Sequence, residues 1–135
     1  LRGAVCTSFQ VQSDISVVLE ATTAADLCGV SGGERCCVLG NGPVVSFMDG
    51  RTVYDKQLYQ LAFETAEKNG IAVQTKTAVA GGNDAGAIQT SGKGSRVMAV
   101  SLPCRYIHSG ASVVKKRDIE ETRKLLKALL PRLYD

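Results

Sequence analysis

The chain has 135 residues, 44% of them hydrophobic and 21% charged, with a formal net charge of +3. This is one domain's worth of ordinary globular sequence. The small, dispersed charge excludes a nucleic-acid or membrane-surface footprint, and no apolar run approaches the ~18 residues needed to cross a bilayer.

The mixed residues after Arg2 predict no secretory leader. Apolar positions at Ala4, Val5, Phe9 and Val11 predict a short helix over residues 3–12. Asp14 then precedes Ile15–Leu19, an apolar, β-branched run that predicts a buried strand. Glu20 follows it directly, with two readings open: a surface residue where the chain leaves the core, or a metal ligand aimed into a cleft at the strand end. Residues 22–34 are rich in Gly, Thr and Ser and predict a long loop. Within it, Asp26 either shapes a site or satisfies local backbone amides.

Cys36–Leu39 and Val44–Met48 read as two strands joined at Gly40-Asn41-Gly42-Pro43, where Asn-Gly supplies positive φ. In such a strand Cys36 and Cys37 point to opposite faces, which disfavours a mutual bridge. The five cysteines (with Cys6, Cys28 and Cys104) are an odd number without C-x-x-C spacing. Free thiols in a reducing cytoplasm are the simplest account.

Asp49-Gly50-Arg51 is a turn. Asp55 is an N-cap for a helix to Asn69, with Leu58, Leu61, Ala62, Thr65 and Ala66 on its buried face and Gly70 ending it. Residues 71–79 read as a strand with Lys76 on its solvent face. Gly81 and Gly82 permit close backbone approach, and Asn83 or Asp84 caps a short helix to about Ser91. This is not a P-loop, since G-x-x-x-x-G-K-[ST] is absent. Val97–Leu102 is almost wholly apolar, as in a strand buried on both faces. Arg105 and His108 then emerge at its carboxyl end, where open α/β sheets bind ligands. Asp118 starts the last helix in capping-box spacing with Glu121. Ile119, Thr122, Leu125, Leu126, Leu129, Leu130 and Leu133 make its buried stripe, and Pro131 ends or kinks it. Lys115-Lys116-Arg117 before it reads as a solvated turn.

Two separated motifs carry a resemblance. Gly81-Gly82-Asn83-Asp84-Ala85-Gly86-Ala87 is followed, in matching order and spacing, by Ser101-Leu102-Pro103-Cys104-Arg105-Tyr106-Ile107-His108-Ser109. Together they resemble the signature of the tetrahedral (TET) family of dinuclear-metal aminopeptidases, which includes glutamyl and deblocking enzymes and members labelled endoglucanase or cellulase. The resemblance implies a mixed-sheet α/β sandwich of the zinc-exopeptidase type. Residues 1–135 would be the C-terminal portion of its catalytic domain, with the upstream half and a small inserted β domain absent.

By the same resemblance, Glu20, before Ala21-Thr22-Thr23-Ala24-Ala25-Asp26, and His108 are each a ligand of one of two divalent ions. Zinc and cobalt suit the same N/O donors. Gly81, Gly82, Asn83, Asp84 and Arg105 would belong to the active-site loops. The general base would lie in a Glu-Glu-Val-Gly segment before Leu1, leaving no catalytic residue in this chain. The implied reaction removes N-terminal residues from peptides with a metal-activated water, in a hollow dodecamer built from dimers. The chain alone is then expected to be silent. It departs from the family pattern at Asn83, where Thr is commoner, at Gly110, where Pro is usual, and at Glu20, where many relatives have Asp.

Two other functions compete with this one. An endoglucanase needs paired carboxylates in an aromatic-rich sugar cleft, and this sequence has no Trp, four Tyr and three Phe. A non-catalytic assembly or binding module would lack the upstream general base.

Overall fold

The computed structural model describes residues 1–134. Four strands, β1 (Ile15–Thr23), β2 (Val44–Val45), β3 (Gln74–Thr75) and β4 (Arg96–Cys104), form one mixed sheet in the order β1-β4-β2-β3. β1 runs parallel to β4 from Ile15↔Arg96 to Thr23↔Cys104, β2 runs antiparallel to β4, and β3 runs parallel to β2. Helices α2 (Lys56–Lys68) and α4 (Lys116–Leu129) pack on one face and α3 (Asp84–Gln89) on the other, with α1 (Arg2–Val11) lying against α3.

The period of two along β4 divides the core between those faces. Met98 and Val100 pack with Leu58, Ala62 and Ala66 of α2 and Leu125 and Leu129 of α4. Val97 and Ala99 face the other way, onto Val18, Tyr54 and Ala85 of α3. A strand covered on both faces is therefore apolar at nearly every position, as its sequence indicates. The expected α/β mixed-sheet architecture is present.

The helices follow local rules. Asp55 caps α2 by accepting from Leu58 N at 3.0 Å, and Gly70 beyond its end takes φ 62°. Asn83, rather than Asp84, caps α3. α1 forms where expected but buries none of its residues, and Phe9 and Val11 stand 63% and 65% exposed.

Several expectations are corrected. Glu20 lies within β1 rather than beyond it, because the parallel ladder continues three residues further. Residues 36–39 are not a strand: Cys37 N donates to Ala24 O, Val38 N to the Gln74 side chain and Leu39 N to the Asp26 carboxylate, so no ladder partner is left for them. Residues 71–79 pair with β2 only at Gln74–Thr75. Lys76 is buried, not solvent-facing. Ile119 and Leu130 are exposed, because α4 lays only one narrow stripe on the sheet. The last helix starts at Lys116, and Asp118 does not cap it. Instead the fully buried Asp118 carboxylate accepts from Gly40 N at 2.8 Å and Gly42 N at 2.9 Å, fixing the turn before β2. Glu121 likewise turns away from the helix start, to Ala72 N and Lys124.

Candidate functional site

A cavity of about 770 Å³ opens where β1 and β4 end. Glu20, Gly81, Gly82, Asn83, Asp84 and His108 all line it. Arg105 does not.

Glu20 reaches the cavity from the pleat of β1, and its orientation is set across the loop before α3. Asp84 N donates to Glu20 Oε1 at 3.1 Å. That loop is held by the Asn83 amide, whose oxygen accepts from Ala85 N at 2.8 Å while its nitrogen donates to Tyr54 Oη at 3.0 Å. Tyr54 in turn donates to Asp49 Oδ2 at 2.6 Å. Burial, then the Asp49 carboxylate, pushes the Tyr54 phenol well above its ordinary range, so it stays a donor. The loop also docks by backbone: Gly50 N donates to Gly81 O at 2.9 Å, and a Cβ on Gly50 would meet that oxygen at 2.7 Å. Only glycine permits this approach.

His108 sits on the exposed loop that follows β4. The loop's neck is a two-bond bridge, Arg105 N to Val113 O at 3.0 Å and Val113 N to Arg105 O at 3.1 Å. Inside it Tyr106 and His108 take φ of 59° and 64°, an uncommon conformation for residues with a Cβ. Ser109 Oγ donates to Tyr106 O at 2.6 Å and steadies that turn. Arg105 anchors the neck from outside, donating to Asp26 Oδ1 at 2.6 Å. The Arg105 guanidinium holds the Asp26 carboxyl below the usual range, and Asp26 also takes Leu39 N. Arg105 and Asp26 thus support the loop and do not face the cavity.

Sequence reasoning missed Lys76, Cys36 and Tyr54. Lys76 and Cys36 line the cavity, and Tyr54 braces it from behind. The strand-like surroundings of Lys76 and Cys36 gave no signal, and Tyr54 lies between a turn and a helix cap. All five cysteines are free. Cys36 faces the cavity while Cys37 packs with Ala24, Leu39 and Val44. The Cys37 thiol, and after it the Lys76 ammonium, hold the Cys36 thiol down to about 6; Cys36, and after it burial, push Cys37 up.

A sequence model of the M42 glutamyl aminopeptidase family matches residues 1–125. The chain belongs to that family. Lysyl aminopeptidase from Pyrococcus furiosus is 34% identical over 134 residues, which are 98% of this chain and 37% of that protein. A TET aminopeptidase structure from a marine sediment archaeon of the Thaumarchaeota matches with a TM-score of 0.93 and 30% identity, over 98% of this chain and 37% of that one. The Pyrococcus horikoshii TET1 peptidase, described as assembling into a tetrahedron or a large octahedral shell, matches with a TM-score of 0.74 and 30% identity, over 95% and 36%. The chain therefore spans little more than a third of the length of these relatives.

The M42 chain offers a carboxylate and an imidazole to one cavity, donors that suit a divalent ion of the zinc or cobalt type. Glu20 Oε2 has no hydrogen-bond donor among the described residues. Among those residues no group of three or more His, Cys, Asp or Glu gathers.

Proposed function

We propose that this chain is the C-terminal part of the catalytic domain of a metal-dependent aminopeptidase. Glu20 and His108 each hold one of two divalent ions, zinc or cobalt. The observation that carries this reading is that, in an M42 chain, both face one cavity at the sheet's carboxyl edge, Glu20 with an oxygen to spare. When bound, the ions supply the Lewis acidity that polarises a peptide carbonyl and lowers the pKa of the attacking water.

The chain's own residues keep the donors in place. Asp84 N and the Tyr54–Asn83 brace orient Glu20, while the Arg105–Asp26 pair and the Arg105–Val113 neck carry His108. The general base and remaining ligands come from segments outside residues 1–135. Self-association into a shell is proposed from the likeness to TET1. Among the described residues this cavity wall carries no aromatic platform of the kind an endoglucanase needs.

The test uses the full-length protein on leucyl, lysyl and glutamyl anilides and on carboxymethylcellulose, before and after chelation. Anilide turnover that chelator removes and zinc or cobalt restores is expected. Cellulose hydrolysis alone contradicts the reading, and binding without turnover of either substrate favours the non-catalytic module. Residues 1–135 alone are expected to be silent on every substrate.

A further inference from the structure

We propose that Cys36, backed by the Lys76 ammonium, is a thiol–disulfide exchange site: a small disulfide entering the cavity leaves half of itself bonded to this sulfur. The effect on turnover rests on the peptidase reading; the exchange itself does not.

Placement is the first ground. Cys36 and Lys76 stand on the wall of the cavity that Glu20 and His108 also line, with Glu34 and Asp84 as its other ionisable side chains. They belong to neighbouring extended segments: Thr77 N donates to Cys36 O at 3.0 Å, and Lys76 N, one residue earlier, donates to Val45 O at 3.1 Å. Lys76 is 8% exposed, and its ammonium donates to Ala80 O at 2.7 Å. Among the described residues no carboxylate pairs with that ammonium, which leaves the Cys36 sulfur as its negative neighbour. Thr22 and the Ala78 amide also lie beside the sulfur and favour its ionised form. A thiol held down to about 6 is mostly thiolate, the attacking species, at neutral pH.

Cys37 does not compete for the new bond. Its Sγ donates to Thr23 O at 3.4 Å, and it packs with Ala24, Leu39 and Val44. The peptide joining the two cysteines is tied at both polar atoms, Cys36 O by Thr77 N and Thr77 Oγ1, and Cys37 N by Ala24 O. Consecutive Cα atoms, ~3.8 Å apart, are also closer than a relaxed disulfide spans. A bridge between the two would have to turn that peptide and break those hydrogen bonds.

In the exchange, the Cys36 thiolate attacks one sulfur of the small disulfide. A new S–S bond forms, the old one breaks, and the second sulfur leaves as a thiolate that takes a proton from water. Cys36 is oxidised, the leaving sulfur is reduced, and excess thiol reverses the step. The adduct takes up room in the cavity that Glu20 and His108 face, so turnover falls until it is removed.

At pH 6 about half of such a thiol is ionised, against roughly 0.3% of an ordinary thiol with a pKa near 8.5. Its lower basicity costs about tenfold in nucleophilicity, which leaves a net gain of about tenfold. The experiment therefore treats the full-length protein with bis(2-hydroxyethyl) disulfide at pH 6 and follows each cysteine by peptide mass. Cys36 should gain the hydroxyethylthio group about tenfold faster in the folded protein than in the urea-unfolded chain; burial without activation would make it slower. Lys76→Met and Lys76→Gln should each slow the folded reaction, roughly twofold or more. Should the Met variant fail to fold, the Gln variant carries the comparison. Leucyl anilide turnover should fall in step with Cys36 labelling, return with excess 2-mercaptoethanol, and persist under the disulfide in Cys36→Ser. A folded rate no faster than the unfolded one overturns the proposal. So does a bridge to Cys37 in place of the adduct, a rate untouched by both Lys76 substitutions, or equal loss of turnover in Cys36→Ser. If no anilide is cleaved with any metal, the peptidase reading fails while the labelling rates still decide Cys36.

Discussion

Asp118 and Glu20 are both carboxylates set against the sheet, yet their oxygens are spent differently. Asp118 is fully buried and gives both oxygens to the backbone of one turn, Gly40 N and Gly42 N. Asp49 and Asp26 are similarly filled, by Arg51 N, Thr52 N and Tyr54 in one case and by Leu39 N and Arg105 in the other. Glu20 takes one donor, Asp84 N, and faces a cavity with its second oxygen. A carboxylate whose lone pairs are all used holds the fold together. One held by a single donor beside a cavity retains capacity for a ligand. By this criterion the carboxylates divide into scaffold and site.

That division can be broken at four positions. Asp118→Ala should cost the most, about 3 kcal/mol, because a buried and a part-buried N–H group lose a charged acceptor together; denaturant unfolding measures it. A loss under about 1 kcal/mol, the size of an ordinary helix cap, would return Asp118 to the capping role that its spacing with Glu121 suggests.

Asp26→Asn should cost about 1–2 kcal/mol, discounted because Arg105 is partly exposed. It also carries a pH signature. Arg105 lowers the folded-state Asp26 pKa, so this stabilisation is present above the ordinary aspartate value near 3.9 and is lost as pH falls through the lowered value. The acid limb of a melting-temperature profile should therefore flatten in the variant. Asp55, lowered by Arg96, keeps part of that limb in place. An unchanged limb would show that the Arg105–Asp26 contact does not persist in solution.

Tyr54→Phe should cost about 1 kcal/mol, leaving Asp49 and Asn83 each without one partner. Its sharper reading is on metal affinity, which should fall in the full-length protein as the Glu20 loop loosens, whereas Asp118→Ala should leave affinity unchanged among folded molecules. Glu20→Gln should have the smallest effect on stability, within about 0.5 kcal/mol, since the amide oxygen can still accept from Asp84 N.

How much of this was legible in the sequence depended on where each side chain's partner lies. The helix over Lys56–Lys68 was readable because its cap, Asp55, and its stripe of Leu58, Ala62 and Ala66 are local. β4 was readable because burial on both faces leaves an apolar run. Asp118 was misread because capping-box spacing is local while its partners, Gly40 and Gly42, are 78 and 76 residues away. Residues 36–39 were misread as a strand for the same reason: their amides go to Asp26 and Gln74, which no pattern within the segment reveals. Lys76 looked like a solvent residue because alternation gives the faces of a strand and says nothing of what covers them. Glu20 and His108 were picked out by motif, with their cavity assembled only by the parallel β1–β4 pairing.

Metal content tests the central claim most directly. The full-length protein and its Glu20→Gln and His108→Ala variants would be loaded with zinc or cobalt, dialysed and analysed for bound metal, with melting temperatures alongside. Wild type should retain a pair of ions per chain, and each variant should lose at least one of them at a melting temperature, measured without metal, that barely moves. Variants that keep the wild-type metal content and affinity would contradict the assignment of Glu20 and His108 as ligands.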